Sequence, residues 1–198
     1  MKAKYSLLAL VAAASFASLG AQAAEPSPWL VRVRAVNLDS ANKDSTGLDL
    51  SVNDKVIPEV DVSYFFTPNL AAELILTYSQ KHDVRAGGTK IGSLKHLPPT
   101  LTVQYHFDGM GAFKPYVGAG LNYTRFSNVD LPAGVTIDKD SFGLALQVGA
   151  DYEISKNVYL NLDVKKVQIR TDVKAGGAKL GTFKVDPLLV GVGVGFRF

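Results

Sequence analysis

FKPYVGAGLNYTRF, residues Phe113 to Phe126, alternates without a break. Pro115, Val117, Ala119, Leu121 and Tyr123 fall on one face of an extended strand. Tyr116, Gly118, Gly120, Asn122 and Thr124 fall on the other. Strand side chains point to opposite faces with period two, so one face is apolar and the other small and polar. Aromatic residues stand toward both ends, at Phe113, Tyr123 and Phe126. A soluble core strand has this pattern, and so does a membrane strand with an aromatic girdle at each interface. The neighbouring segments decide between them.

Upstream, Trp29 to Leu38, Val56 to Phe66, Leu70 to Tyr78 and His96 to Phe107 alternate in the same way. Downstream, Asp140 to Ile154, Val158 to Lys165 and Val185 to Phe198 follow. Short turns join some neighbours, at Thr67-Pro68-Asn69, Asp108 to Gly111 and Ser155-Lys156-Asn157. Long polar loops join the others, at residues 39–55, 79–95, 127–139 and 171–184. Strict alternation of short turns with long loops over eight amphipathic strands predicts an all-β, eight-stranded antiparallel up-and-down transmembrane barrel. A soluble barrel would put its apolar face inside. Here the opposite face carries Arg32, Arg34, Glu59, Asp61, Glu73, Asp151, Asp163 and Arg197 among glycines and alanines. Turned toward lipid, such charges cost up to ~2–4 kcal/mol each near the midplane. They fit a narrow polar lumen.

The first segment reads as an export signal. Lys2 and Lys4 precede an apolar run from Tyr5 to Leu19, and Ala21-Gln22-Ala23 offers a small-residue cleavage site. Residues 1–23 are thus expected to be a signal peptide and residues 24–198 the barrel. The formal charge of +3 owes much to the signal lysines, so it is no nucleic-acid footprint. Cysteine is absent, which excludes thiolate metal sites, redox motifs and a cysteine nucleophile. No cofactor motif is present. His82, His96 and His106 are scattered along the chain and give no metal-ligand spacing. His82-Asp83 with Ser79 is the nearest approach to a hydrolase constellation, but adjacent strand residues point apart and no nucleophile elbow is present. One repeat stands out: Asp83 to Lys95 reads DVRAGGTKIGSLK and Asp172 to Lys184 reads DVKAGGAKLGTFK. Each has Gly-Gly between short alternating runs, as a hairpin would. The two are either a paired rim around the mouth or two similar turns.

His96-Leu97-Pro98-Pro99-Thr100-Leu101, Pro115 to Thr124, Gly149-Ala150-Asp151-Tyr152 and the aromatic terminus at Phe196 and Phe198 resemble the OmpW/AlkL family of small outer-membrane proteins. The resemblance covers the whole mature chain and is weakest in the loops. It implies a bacterial outer-membrane location, periplasmic turns, extracellular loops, no enzymatic activity, and a narrow channel passing small hydrophobic molecules. Its partners would be membrane lipids, hydrophobic solutes and the outer-membrane assembly machinery, which reads the terminal Phe. A bacteriocin or phage at the loops is the other partner class it implies.

With the short turns periplasmic, inward residues sort by height. Arg32, Arg34, Asp61, Glu73, His106, Asp151 and Arg197 fall low, where opposite charges must pair because lone ions in a narrow lumen are costly. They are expected to form a polar plug, or simply a structural ion core. Val36, Ile57, Ile75, Thr100, Asn122 and Leu189 fall high. They line an apolar pocket or fill space, since eight-stranded interiors are just wide enough for side chains. Lys165 also points inward at mid height. Pro98, Pro99 and Pro187 lie at upper strand ends, where a missing ladder donor would weaken the wall and open a lateral exit into the bilayer. The alternative to a channel is a filled structural or receptor-type barrel acting through its extracellular loops.

Overall fold

The computed structural model describes residues 27–198; the expected signal peptide lies outside them. Eight strands form the wall: β1 (Trp29–Asp39), β4 (Lys55–Phe65), β5 (Leu70–Thr77), β8 (Thr100–His106), β9 (Phe113–Asp130), β11 (Asp140–Ser155), β12 (Val158–Val167) and β15 (Leu188–Arg197). Each pairs antiparallel with its neighbours, and β15 returns to β1, from Leu30↔Arg197 to Asp39↔Leu188. The barrel is therefore closed and has no free edge to satisfy in lipid.

The alternation set out above is realised in the faces. Leu30, Arg32, Arg34, Val36 and Leu38 of β1 are buried in the lumen, while Trp29 and Val33 are exposed. Outward apolar residues such as Leu121, Val192 and Phe142 are 65 %, 62 % and 82 % exposed, which water would not tolerate over a whole circumference and lipid does. Trp29, Tyr64 and Phe66 form a chain of edge-on rings 4.8 and 5.3 Å apart at one rim, joined there by Tyr105 and Phe107. Tyr123 and Phe142, 4.8 Å apart, mark the other.

The long connections are not irregular loops. They hold seven further strands: β2 (Lys43–Asp44), β3 (Leu50–Val52), β6 (Gln80–Ala86), β7 (Thr89–Leu97), β10 (Val135–Ile137), β13 (Arg170–Ala175) and β14 (Ala178–Lys184). β7 adds to the upper end of β9, and β6 and β3 follow it; β10, β13, β14 and β2 make a second sheet. The two copies of the repeat are the hairpins β6–β7 and β13–β14. Both turn on glycines at positive φ, Gly87-Gly88 and Gly176-Gly177. Both shift register at the same point, after Val84 and after Val173. Their equivalent residues Val84 and Val173, and Leu94 and Phe183, enter one apolar core above the membrane. The repeat thus builds two walls of one extracellular extension.

Two predicted strands are cut short by proline. His96 and Leu97 belong to β7, and the wall strand begins only at Thr100, after Pro98-Pro99. The last strand begins at Leu188, after Pro187. A proline has no N–H to give the ladder.

Candidate functional site

The lumen is occupied at mid height by a network of ions. Arg32 holds Asp151 through two parallel bonds, Nε to Oδ1 at 3.0 Å and Nη2 to Oδ2 at 2.6 Å. Its Nη1 reaches Asp61 at 3.1 Å and Ser63 at 3.0 Å. Arg34 pairs with Asp61 at 2.7 Å, Glu59 at 3.0 Å and Glu73 at 3.2 Å. The forked guanidinium suits such several-fold pairing, which a point charge could not match. Lys165 extends the network upward, to Glu59 at 2.6 Å and Asp163 at 2.8 Å.

Three cations thus face five carboxylates, and neutral donors serve the remaining oxygens. The Tyr116 hydroxyl donates to Asp163 at 2.8 Å, Gln147 to the same oxygen at 2.6 Å, and Gln104 to Glu73 at 2.8 Å. Tyr116 fits only because residue 149 is glycine: a Cβ there would stand 2.4 Å from its phenol ring.

Of the seven residues predicted low in the lumen, Arg32, Arg34, Asp61, Glu73 and Asp151 meet in this network. His106 and Arg197 lie below it. The His106 ring stacks between Phe65 and Tyr116 and its Nε2 meets Gln104 Oε1 at 3.1 Å. Arg197 stands 4.3 Å over the Phe65 ring and donates to the Ser27 carbonyl at 2.8 Å. Both line a periplasmic vestibule of about 410 Å³, with Leu30, Phe65, Asp151 and Tyr159. Glu59, Asp163, Asn161, Tyr116 and Gln147 complete the network and were missed as site residues. Their inward parity was readable, but their partners stand across the lumen.

Above the ions the interior turns apolar. Val36, Leu38 and Ile57 form a buried cluster with Leu189 against it. Ile57, Ile75, Thr100, Asn122 and Leu189 border a common space of about 20 Å³, hardly more than the room one water needs, with Glu59 and Lys165 of the network at its floor. Val167 and Ile169 of the extracellular core roof it. The six predicted upper residues are brought together, then, but packed closed.

The wall beside this compartment has one break. The β5–β8 ladder ends at Ile75↔Thr100, and β6–β7 pairing resumes at Gln80↔His96. Between them, Leu76 to Ser79 and Leu97 to Pro99 form no registered pair with each other, although Leu76 and Thr77 keep their pairing with β4 and Leu97 its pairing with β9; Leu76, Tyr78 and Leu97 face outward, exposed. Pro99 stays bonded on its β9 side, its carbonyl accepting from Tyr123 N at 3.1 Å, and lacks a partner on its β5 side; the Pro187 carbonyl accepts from Val167 N at 3.2 Å.

The histidines are less scattered than the sequence suggests. His82 and His96 stack in the extension with ring centroids 4.5 Å apart. Burial, the neighbouring His82 and Lys55 push His96 down to about 3. Burial likewise lowers His82, against the hydrogen bond to the Asn53 carbonyl. Asp83 does not serve His82; it pairs with Lys90 at 2.8 Å.

The sequence pattern of the OmpW family matches residues 30–198. The chain belongs to the OmpW family. Outer membrane protein W of Vibrio cholerae is 33% identical, over 98% of this chain and 100% of its own. An outer-membrane protein of Sinorhizobium fredii is 48% identical, over 89% of this chain and 82% of that one. The crystal structure of OprG from Pseudomonas aeruginosa superposes with a TM-score of 0.76 at 26% identity, over 88% of this chain and 97% of that one. As an OmpW barrel the chain resides in the bacterial outer membrane, surrounded by lipid, and is not an enzyme.

Proposed function

We propose that this OmpW barrel lets small hydrophobic molecules pass from outside the cell into the outer membrane. A solute displaces the closed packing around Val36, Ile57, Ile75, Thr100, Asn122 and Leu189. It stops on the plug of Arg32, Arg34, Asp61, Glu73 and Asp151, and leaves sideways between Leu76–Ser79 and Leu97–Pro99. The observation that carries this reading is the change of chemistry on one strand, Arg34 to Val36, in a lumen whose wall lacks pairing between Leu76–Ser79 and Leu97–Pro99. An apolar solute has no reason to cross a dry set of paired ions, where it would replace hydrogen bonds with none. A Pseudomonas aeruginosa relative, 27% identical over 88% of this chain, is named for a dibenzothiophene metabolism operon, which supports an aromatic, apolar solute class. Of the three prolines, Pro98 and Pro99 carry the exit. The terminal Phe198 and Phe196 suit recognition by the assembly machinery.

The closed packing of the upper compartment favours a second reading, a filled structural or receptor barrel whose extracellular extension binds a bacteriocin or phage. Uptake into liposomes holding the purified mature protein separates the two. A small hydrophobic solute should pass faster than a sugar of equal size. Equal passage would remove the plug, and passage of neither would favour the filled barrel. Replacing Pro98 and Pro99 by valine should slow uptake; unchanged uptake would sink the lateral route.

A further inference from the structure

Directly above the gap between Leu76–Ser79 and Leu97–Pro99, the extension buries a polar cluster in an apolar interior. Gln80, His82 and His96 are essentially inaccessible. Gln80 and His96 are register partners, and the two imidazoles stack as described. Gln80 Nε2 donates to Thr77 Oγ1 at 2.8 Å and to the Tyr78 carbonyl, both on the β5 side of the gap. His82 spends Nδ1 on the Asn53 carbonyl at 2.9 Å. A carbonyl only accepts, so the neutral ring carries its proton on Nδ1 and leaves Nε2 a bare acceptor. Three atoms have no partner: Gln80 Oε1, His82 Nε2 and His96 Nε2. Orphaned buried polar atoms are rare, because each keeps its full desolvation cost. Three within one patch, two of them acceptors, require a donor from elsewhere.

The surroundings select the donor. A divalent metal ion would be buried on neutral ligands alone, and no group of three His, Cys, Asp or Glu among the described residues is placed to hold one. Burial opposes added positive charge at both rings, and so does Lys55, which Asp54 and Asp83 offset at His82 but not at His96; this disfavours an ammonium against His96. A neutral O–H carries neither penalty. Around the cluster the packing is apolar: Leu94 and Phe126 share one buried core, and Phe126 meets His96 edge-on at 6.3 Å.

We propose that Gln80, His82 and His96 recognise the hydroxyl group of an apolar solute of the phenol or alkanol class. The hydroxyl donates to His82 Nε2 or Gln80 Oε1 and accepts from His96 in its Nε2–H tautomer. This rests on the uptake reading and adds the solute class to it. A few convergent polar groups on an apolar wall are the ordinary make-up of a small-molecule site. A site built to bond a hydroxyl rejects the analogue lacking it more strongly than an apolar pocket rejects a change of size.

Resident water offers the same O–H chemistry, so the experiment compares 2-naphthol with naphthalene. Imidazole NMR signals are followed in the mature protein in lipid nanodiscs, and protein-dependent uptake is measured in liposomes. We expect 2-naphthol alone to move the His82 and His96 ring signals and to enter about tenfold faster than naphthalene after subtraction of protein-free vesicles. His82→Phe and His96→Phe, made singly, should bring that ratio to about one. Ring signals that do not move, or that move equally with naphthalene, mean water alone sits there and overturn the proposal. Equal uptake of both solutes by the wild type overturns it too, while leaving the channel standing. If neither solute enters, it is the channel reading that fails, and ring shifts confined to 2-naphthol still support a hydroxyl site.

Discussion

Arg34 and Val36 enter the same lumen from successive inward positions of β1, and the groups at their tips differ in kind. The Arg34 guanidinium has polar partners throughout, and each contact has a direction: Glu59, Asp61, Glu73, Asn161 and the Tyr116 hydroxyl all meet it within 3.4 Å. Around Val36 the neighbours are Leu38, Ile57 and Leu189, and what holds them is volume. The lower region is therefore specific and brittle, since removing one partner strands the rest. The upper region is forgiving, because apolar packing tolerates small changes of shape. A channel that must admit a solute above and exclude it below needs this division.

The comparison can be broken most sharply in the ion network. Arg34→Ala leaves three carboxylates short of a cation and should cost about 3–5 kcal/mol, read from urea unfolding in detergent or lipid. A cost below about 1 kcal/mol would mean water fills the plug and the lower lumen is not dry. Next comes acid, acting on the extension. His96 is held at about 3 against an ordinary 6.5, so its contribution is complete above pH 6.5 and declines as pH falls toward 3. At pH 5 the loss should be about 2 kcal/mol, seen as the difference in urea midpoint between wild type and His96→Phe. His82, near Asp54, Asp83 and Lys55, shifts in the same direction and adds to it. Tyr116→Phe keeps the ring under Gly149 but removes the hydroxyl between Asn161 and Asp163, for about 1–2 kcal/mol. Smallest is Ile57→Val in the apolar half, about 0.5–1.5 kcal/mol. If Ile57→Val cost more than Tyr116→Phe, the upper region would be the rigid one and the contrast would reverse.

The wall was legible in the sequence because lipid outside and a lumen inside impose a strict period of two, which β9 keeps from Val117 to Phe126 and β11 from Ser141 to Tyr152. The plug was half legible. Inward parity exposed Arg32 and Asp151, but they are separated by 119 residues, and their meeting depends on the shear of the closed barrel. In the sequence the extension looks like polar loops, because each of its short strands contributes only one or two core residues, such as Val84, Leu94, Val173 and Phe183. The repeat was its one visible trace. His82 and His96 came together for the same reason: a hairpin stacks residues that the sequence keeps apart.

The reach of Arg32 to Asp151 bears on how the barrel is made. β1 is the first wall strand and β11 the sixth, so this bond can form only after most of the chain has been threaded. Until β1 meets β15, the carboxylates of β11 and β12 outnumber Lys165 and have no guanidinium to answer them. A half-built sheet would present those charges to hydrocarbon. Insertion is then a single committed act, in which the seam and the interior zip together, and an Arg32 variant should accumulate as unfolded chain in the periplasm rather than as an open sheet in the membrane.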